Sequence, residues 1–145
     1  MPRFGTLDVA AALADAPQVD TVLKRFHGFA RDSVLVAHNA AFDMTFLTKD
    51  EERVGVSFDN PVIDTVLLAA HVFGVSESLT LDALSERFKV TLRDEDRHTA
   101  LGDAVATAHV LLRLIPLLEN AGVRTLGDAI AASEKQSRLR RKQSY

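Results

Sequence analysis

Two short segments carry the residue types that could do chemistry in this chain. The first is Val34-Leu35-Val36-Ala37 followed by His38-Asn39 and then Ala40-Ala41-Phe42-Asp43. Four apolar residues rich in β-branched Val predict a buried strand. From Ala40 the spacing of Phe42, Phe46 and Leu47 predicts a helix with those three on one face. Asp43 then lies in a first helical turn beyond the carboxyl end of a strand, where open α/β sheets bind ligands. Taken alone, Asp43 is better read as a complement to the helix dipole. The second segment, His98-Thr99-Ala100-Leu101-Gly102-Asp103, puts an imidazole in a loop or at a helix start and a carboxylate about one turn inside. Such pairs are usually surface charges or caps. The two segments together, about sixty residues apart, are specific.

The elements that must position these groups alternate. Residues 6–14 predict a short helix capped by Thr6. Pro17 stands where a first helical residue would, ahead of Val19, Val22, Leu23, Phe26 and Phe29 at helical spacing, with an end near Arg31-Asp32. A strand over 33–37 and a helix from about Ala40 to Arg53 follow, then a loop and a second strand at Pro61-Val62-Ile63. Asp64 is placed to cap the helix that Gly74 stops. A further helix covers about 80–88. The charged stretch Arg93-Asp94-Glu95-Asp96-Arg97 is read as a solvated loop rather than a metal site. A long helix from about Ala100 to Asn120 contains Pro116, which predicts a kink or a break in its last turns, and a last short helix spans 126–132. His27, His71 and His109 fall in helical patterns away from both segments and receive no role. The expected class is α/β, with roughly six helices to two parallel strands, and two such strands alone leave an edge on each.

A chain of 145 residues is one domain's worth, and 47% apolar content with a formal charge of -3 describes an ordinary globular protein. The absence of cysteine excludes disulfides and thiolate metal sites. No uninterrupted apolar run approaches the ~18 residues needed to span a bilayer. Met1-Pro2-Arg3-Phe4 lacks the apolar core of a signal peptide, so a cytosolic location is expected. Residues 133–145 hold Lys135, Arg138, Arg140, Arg141 and Lys142 against Glu134 alone, and read as a basic, disordered solubilising tail. The rest is correspondingly acidic. That makes it a poor non-specific binder of phosphate backbones. It is compatible with a carboxylate-lined metal site, where cations supply the missing charge.

At the two segments the chain resembles the histidine-type DEDD 3′–5′ exonucleases, the family of the proofreading epsilon subunit of bacterial DNA polymerase III. HNAAFD (38–43) matches that family's second motif, and HTALGDA with the VATA after it (98–108) matches its third. VIDT (62–65), SLTLDAL (78–84) and DAPQVDTVLKRF (15–26) are similar as well, so the resemblance extends from about Leu7 to Gly122. It implies an RNase H-like fold and a hydrolase that removes nucleotides from the 3′ ends of DNA or RNA with two Mg²⁺ or Mn²⁺ ions. It implies that Asp43 and Asp103 are metal ligands and His98 the general base. Asn39 and Phe42 become candidates to line the nucleotide pocket by hydrogen bonding and stacking, although core packing is at least as well motivated for Phe42.

The family's first motif, Asp-x-Glu on the first strand, does not precede Leu7. Asp50-Glu51-Glu52 and Asp94-Glu95-Asp96 stand in the wrong contexts to replace it. The expectation is therefore a partial exonuclease domain over 1–132, lacking its N-terminal strands and weakly active or inactive by itself. Two other readings stay open. One is a non-catalytic remnant that binds nucleic acid or protein, such as a polymerase subunit or a second copy, through an exposed strand edge. The other is a sister enzyme acting on short RNA or tRNA ends.

Overall fold

The computed structural model describes residues 9–143. Eight α-helices and two β-strands follow in the order α1 (Val9–Leu13), α2 (Val19–Ala30), β1 (Leu35–Ala37), α3 (Ala40–Thr48), α4 (Glu51–Val54), β2 (Val62–Asp64), α5 (Thr65–Phe73), α6 (Leu81–Arg87), α7 (Ala100–Asn120) and α8 (Leu126–Gln143). A 3₁₀ turn, Asp94–Asp96, precedes α7. β1 and β2 are parallel, with Leu35 opposite Val62, Val36 opposite Ile63 and Ala37 opposite Asp64. The helix-rich α/β architecture with one parallel pair agrees with the sequence. The proposed cap at Thr6 lies outside the described residues.

The main core is built by the helices after β2. Leu68 and Ala69 of α5, Leu84 of α6, Val110, Leu114 and Leu118 of α7, and Ala129 and Ala132 of α8 form one buried cluster, with Ile63 of β2 packed against it. A smaller cluster joins Leu23, Val54 and Phe58, flanked by Phe26, Met44 and Leu47. Thr80 and Thr99 accept hydrogen bonds from Ala83 N and Gly102 N and so fix the starts of α6 and α7. α7 is long and apolar enough to cross a membrane by length and composition alone. Here Val110 and Leu114 on one face are wholly buried among the other helices.

Several expectations are corrected. Residues 133–143 belong to α8. α8 runs on to Gln143 because Ala129, Ala132 and Gln136, at helical spacing, are buried on the body. The segment 40–53 is two helices, parted at Lys49-Asp50. Gln18 caps α2, which leaves Pro17 just outside the helix. β1 is only half-buried, with Val36 37% exposed, since no strand pairs with its outer edge among the described residues. Phe42 and Phe46 point outward at 63% and 61% exposure, whereas Met44 and Leu47 turn to the small core. Packing into the core is thus excluded for Phe42.

Pro116 does not break α7. Its ring nitrogen cannot donate, which frees the Leu112 carbonyl. Both residues lie on the exposed side, while Leu114 and Leu118 hold the other side in the core. An interior proline costs a helix ~3 kcal/mol, part of which it returns by restricting the unfolded chain. Pro116→Ala is expected to raise stability by about 2 kcal/mol, read as a higher urea midpoint with an unchanged slope.

Candidate active site

The carboxyl ends of β1 and β2 meet at one side chain. Parallel register sets Ala37 beside Asp64, so the segment leaving β1 passes over the Asp64 carboxylate. Oδ1 accepts from Asn39 N at 3.0 Å and from Val66 N at 2.9 Å, and Oδ2 accepts from Ala40 N at 3.0 Å. Asp64 therefore caps α5, as its position in the sequence predicts, and also holds the amino end of α3. Asn39 adopts a left-handed φ of 65°, a conformation that Asn tolerates better than most residues. That turn aims the Asn39 and Ala40 amides at one carboxylate and starts the helix that carries Asp43.

His38, to which the sequence reading gave no role of its own, is the other anchor of this junction. Its Nδ1 is 2.8 Å from Oγ1 of the fully buried Thr65, whose hydroxyl also reaches the Ala37 carbonyl at 3.3 Å. Burial pushes the His38 pKa below its ordinary value, against the opposing pull of a hydrogen bond to the Leu79 backbone and the charges of Asp64 and Asp43. The shift favours the neutral imidazole. The signal for it in the sequence is local, a histidine at a strand end. Its partner Thr65 is distant and becomes a neighbour only through the strand pairing.

His98 and Asp103 come together as the second segment suggests. Both line a cavity of about 390 Å³ between α6 and the start of α7, with Asp82, Ser85 and Glu86 on the opposite wall. His98 has a left-handed φ of 60°, between a 3₁₀ turn and α7 that are fastened to each other. Thr99 Oγ1 donates to the Asp96 carbonyl at 2.7 Å and accepts from Gly102 N at 3.0 Å. Arg93 Nε bonds Asp96 Oδ2 at 2.8 Å. A Cβ on Gly102 would overlap the Asp96 carbonyl oxygen, so glycine is what allows the turn to lie on the helix. The acidic stretch 94–96 is thus a structural clasp for His98.

Asp43 lines a groove of about 470 Å³ along β1 with Val36, Met44 and Phe46, and its charge also reaches His38. Phe42 stands edge-on to Phe46, ring centres 5.1 Å apart, and is open to solvent. Asn39 lines a third cavity with His38 and Asp64. Among the described residues, no three His, Asp or Glu side chains gather as they would around an ion. Mg²⁺ binds through one or two carboxylates plus waters and substrate phosphate, and a two-ion centre needs more donors than that.

Residues 9–111 match the exonuclease family RNase_T, a span that includes both segments. The chain belongs to this exonuclease family. It is 52% identical to a DNA polymerase III subunit epsilon-like protein of Rhodobacter capsulatus over 131 residues, which is 90% of this chain and 19% of that protein. It is 36% identical over 114 residues to a PolC-type DNA polymerase III of Caldanaerobacter subterraneus, covering 79% of this chain and 8% of that protein. A Mycobacterium tuberculosis protein named as a bifunctional exonuclease/endonuclease shares 42% identity over 121 residues, 81% of this chain and 18% of that protein. The chain thus spans less than a fifth of the length of each of these relatives. No solved structure matches it.

The depressed His38 pKa has a definite sign in stability. The unfolded chain takes up this proton more readily than the folded one, so folding is favoured above the unfolded pKa of ~6.5 and loses support as pH falls through the lower, folded value. The thermal midpoint is expected to fall as pH is lowered from 7 towards 5.5, and His38→Gln to flatten that dependence. A pH dependence unchanged in His38→Gln would contradict the assignment.

Proposed function

We propose that this chain carries the second and third motif segments of a 3′–5′ exonuclease acting on single-stranded DNA, with RNA as the alternative substrate. In this reading Asp43 and Asp103 are carboxylate ligands for Mg²⁺ or Mn²⁺. His98 takes the proton from the attacking water, a task suited to a group that titrates near neutrality. Asn39 and Phe42 face the terminal nucleotide, Asn39 by hydrogen bonding and Phe42 with an exposed ring on which a base can stack. The observation that carries the reading is family membership over 9–111, the span holding both segments. The shared cavity of His98 and Asp103 supports it further. A partial donor set holds divalent ions weakly, so turnover by these residues alone is low.

A second reading is favoured by one observation: among the described residues the outer edge of β1 has no strand partner, and Val34 and Val36 beside it are exposed. Such an edge accepts a strand from another chain or a second copy. In that reading the fold serves association rather than hydrolysis.

Incubation of the purified chain with 3′-labelled single-stranded DNA and Mn²⁺ tests the first reading. Release of label barely above background, and lost in Asp103→Ala, is expected. Robust release that Asp103→Ala abolishes would overturn the partial-site conclusion. Release indifferent to Asp103→Ala would overturn the assigned role of Asp103.

A further inference from the structure

α7 turns one apolar face to the core and a second to solvent. Val110, Leu114 and Leu118 are buried on the first. The second consists of Leu101, Val105, Ala108, Leu112 and Ile115, all exposed, with Leu101 at 67% and Leu112 at 62%. Their steps of four and three residues alternate, which is the spacing of a seam between paired helices. The seam is also symmetric about Ala108. From either end it runs large, large, small, large, large. We propose that this face joins two copies of the chain, their α7 helices antiparallel about a two-fold axis at Ala108. Leu101 of one copy then meets Ile115 of the other, and Val105 meets Leu112. At the axis the small Ala108 side chains let the two helices approach closely.

Three features favour a second copy as the occupant. A two-fold contact requires a surface complementary to itself, and the symmetric seam is one. The exposed area suffices. The chain presents 10629 Å² to solvent, whereas a compact monomer of 15.8 kDa presents about 7,300 Å². The excess is larger than the ~800 Å² that each partner gives up in a standard interface. Charge agrees as well. Glu119 continues the seam spacing, and antiparallel pairing sets it at the amino end of the other copy's α7, where first-turn N–H groups attract a carboxylate. A bilayer is the weaker occupant, although α7 has the length and composition of a span. Spanning would strip Val110 and Leu114 from the core. Lying on a membrane surface is favoured by basic flanks, and this chain carries a net charge of -3. Asp103 is two positions beyond Leu101 and so faces away from the seam, which leaves the cavity of His98 and Asp103 open. The contact is independent of the nuclease reading and uses a surface other than the β1 edge.

Sedimentation equilibrium of the full chain tests the pairing. The wild type is expected at twice the chain mass of 15.8 kDa. Leu112→Arg is expected at the monomer mass, because it would bury a charge against Val105 of each opposing copy. Phe29→Arg, which changes another exposed apolar residue, on α2, is expected to remain a dimer. Circular dichroism verifies that both variants keep their helices. Orientation is read by cross-linking, since the chain has no cysteine of its own. Ala108→Cys is expected to form a disulfide-linked pair on mild oxidation. Leu101→Cys is expected not to link to itself. Antiparallel helices hold its two copies fourteen residues apart, ~21 Å along the axis, which no disulfide reaches. A mixture of Leu101→Cys and Ile115→Cys chains is expected to link. A monomeric wild type would overturn the pairing, as would a monomer that floats with phosphatidylcholine vesicles. A dimer that persists in Leu112→Arg would overturn the seam. Self-linking by Leu101→Cys without linking by Ala108→Cys would overturn the antiparallel arrangement.

Discussion

One carboxylate holds the strand ends in register with the helices that follow them. Asp64 offers two oxygens to three backbone amides from two separate helix starts, amides that have no partner within their own helices. A hydrogen bond to a charged acceptor contributes about 1.5–3 kcal/mol net. The same contact defines the angle at which α3 leaves β1, and with it the direction of Asn39, Phe42 and Asp43. His38 on Thr65 closes the junction from the other side. Local order at this end therefore depends on pairing between segments that are distant in sequence.

The two chemistry-bearing segments are supported in different ways. His98 and Asp103 sit on a short-range clasp, in which Thr99 and the Asp96 carbonyl bind the turn to α7 and Gly102 leaves room for it. That arrangement forms from residues adjacent in sequence. Asp43 instead depends on the parallel strand pair and lies beside the edge of β1 that pairs with no strand among the described residues. Exposed Phe42, Phe46 and Val36 near it, and exposed Leu101, Leu112 and Ile115 on α7, leave much apolar surface in water. Scattered apolar exposure is ordinary, but a run of it beside a strand edge marks a surface suited to covering.

Helical spacing made most helices legible but not which face they bury: on α7 Leu101, Val105, Leu112 and Ile115 are exposed, while Val110 and Leu114 are buried. Motif residues were legible by type and spacing. Asp64 was legible only in its local half, as the cap of α5. Its hold on α3 requires the register that sets Ala37 opposite it. α8 was misread because its docked face consists of Ala129, Ala132 and Gln136, small or polar residues that carry little periodic signal beside a run of charge. The outward turn of Phe42 and Phe46 was hidden for a related reason. Helical spacing says that residues share a face, not that a partner exists to bury it.

Asp64 couples the starts of α3 and α5. Amide hydrogen exchange at Asn39, Ala40 and Val66, compared between the wild type and Asp64→Asn, tests it most directly, because the amide keeps the shape but gives up the charge and one acceptor oxygen. Exchange at all three amides is expected to quicken together, with the core amides of α7 unchanged. Faster exchange at Val66 alone, with Asn39 and Ala40 unaffected, would contradict it.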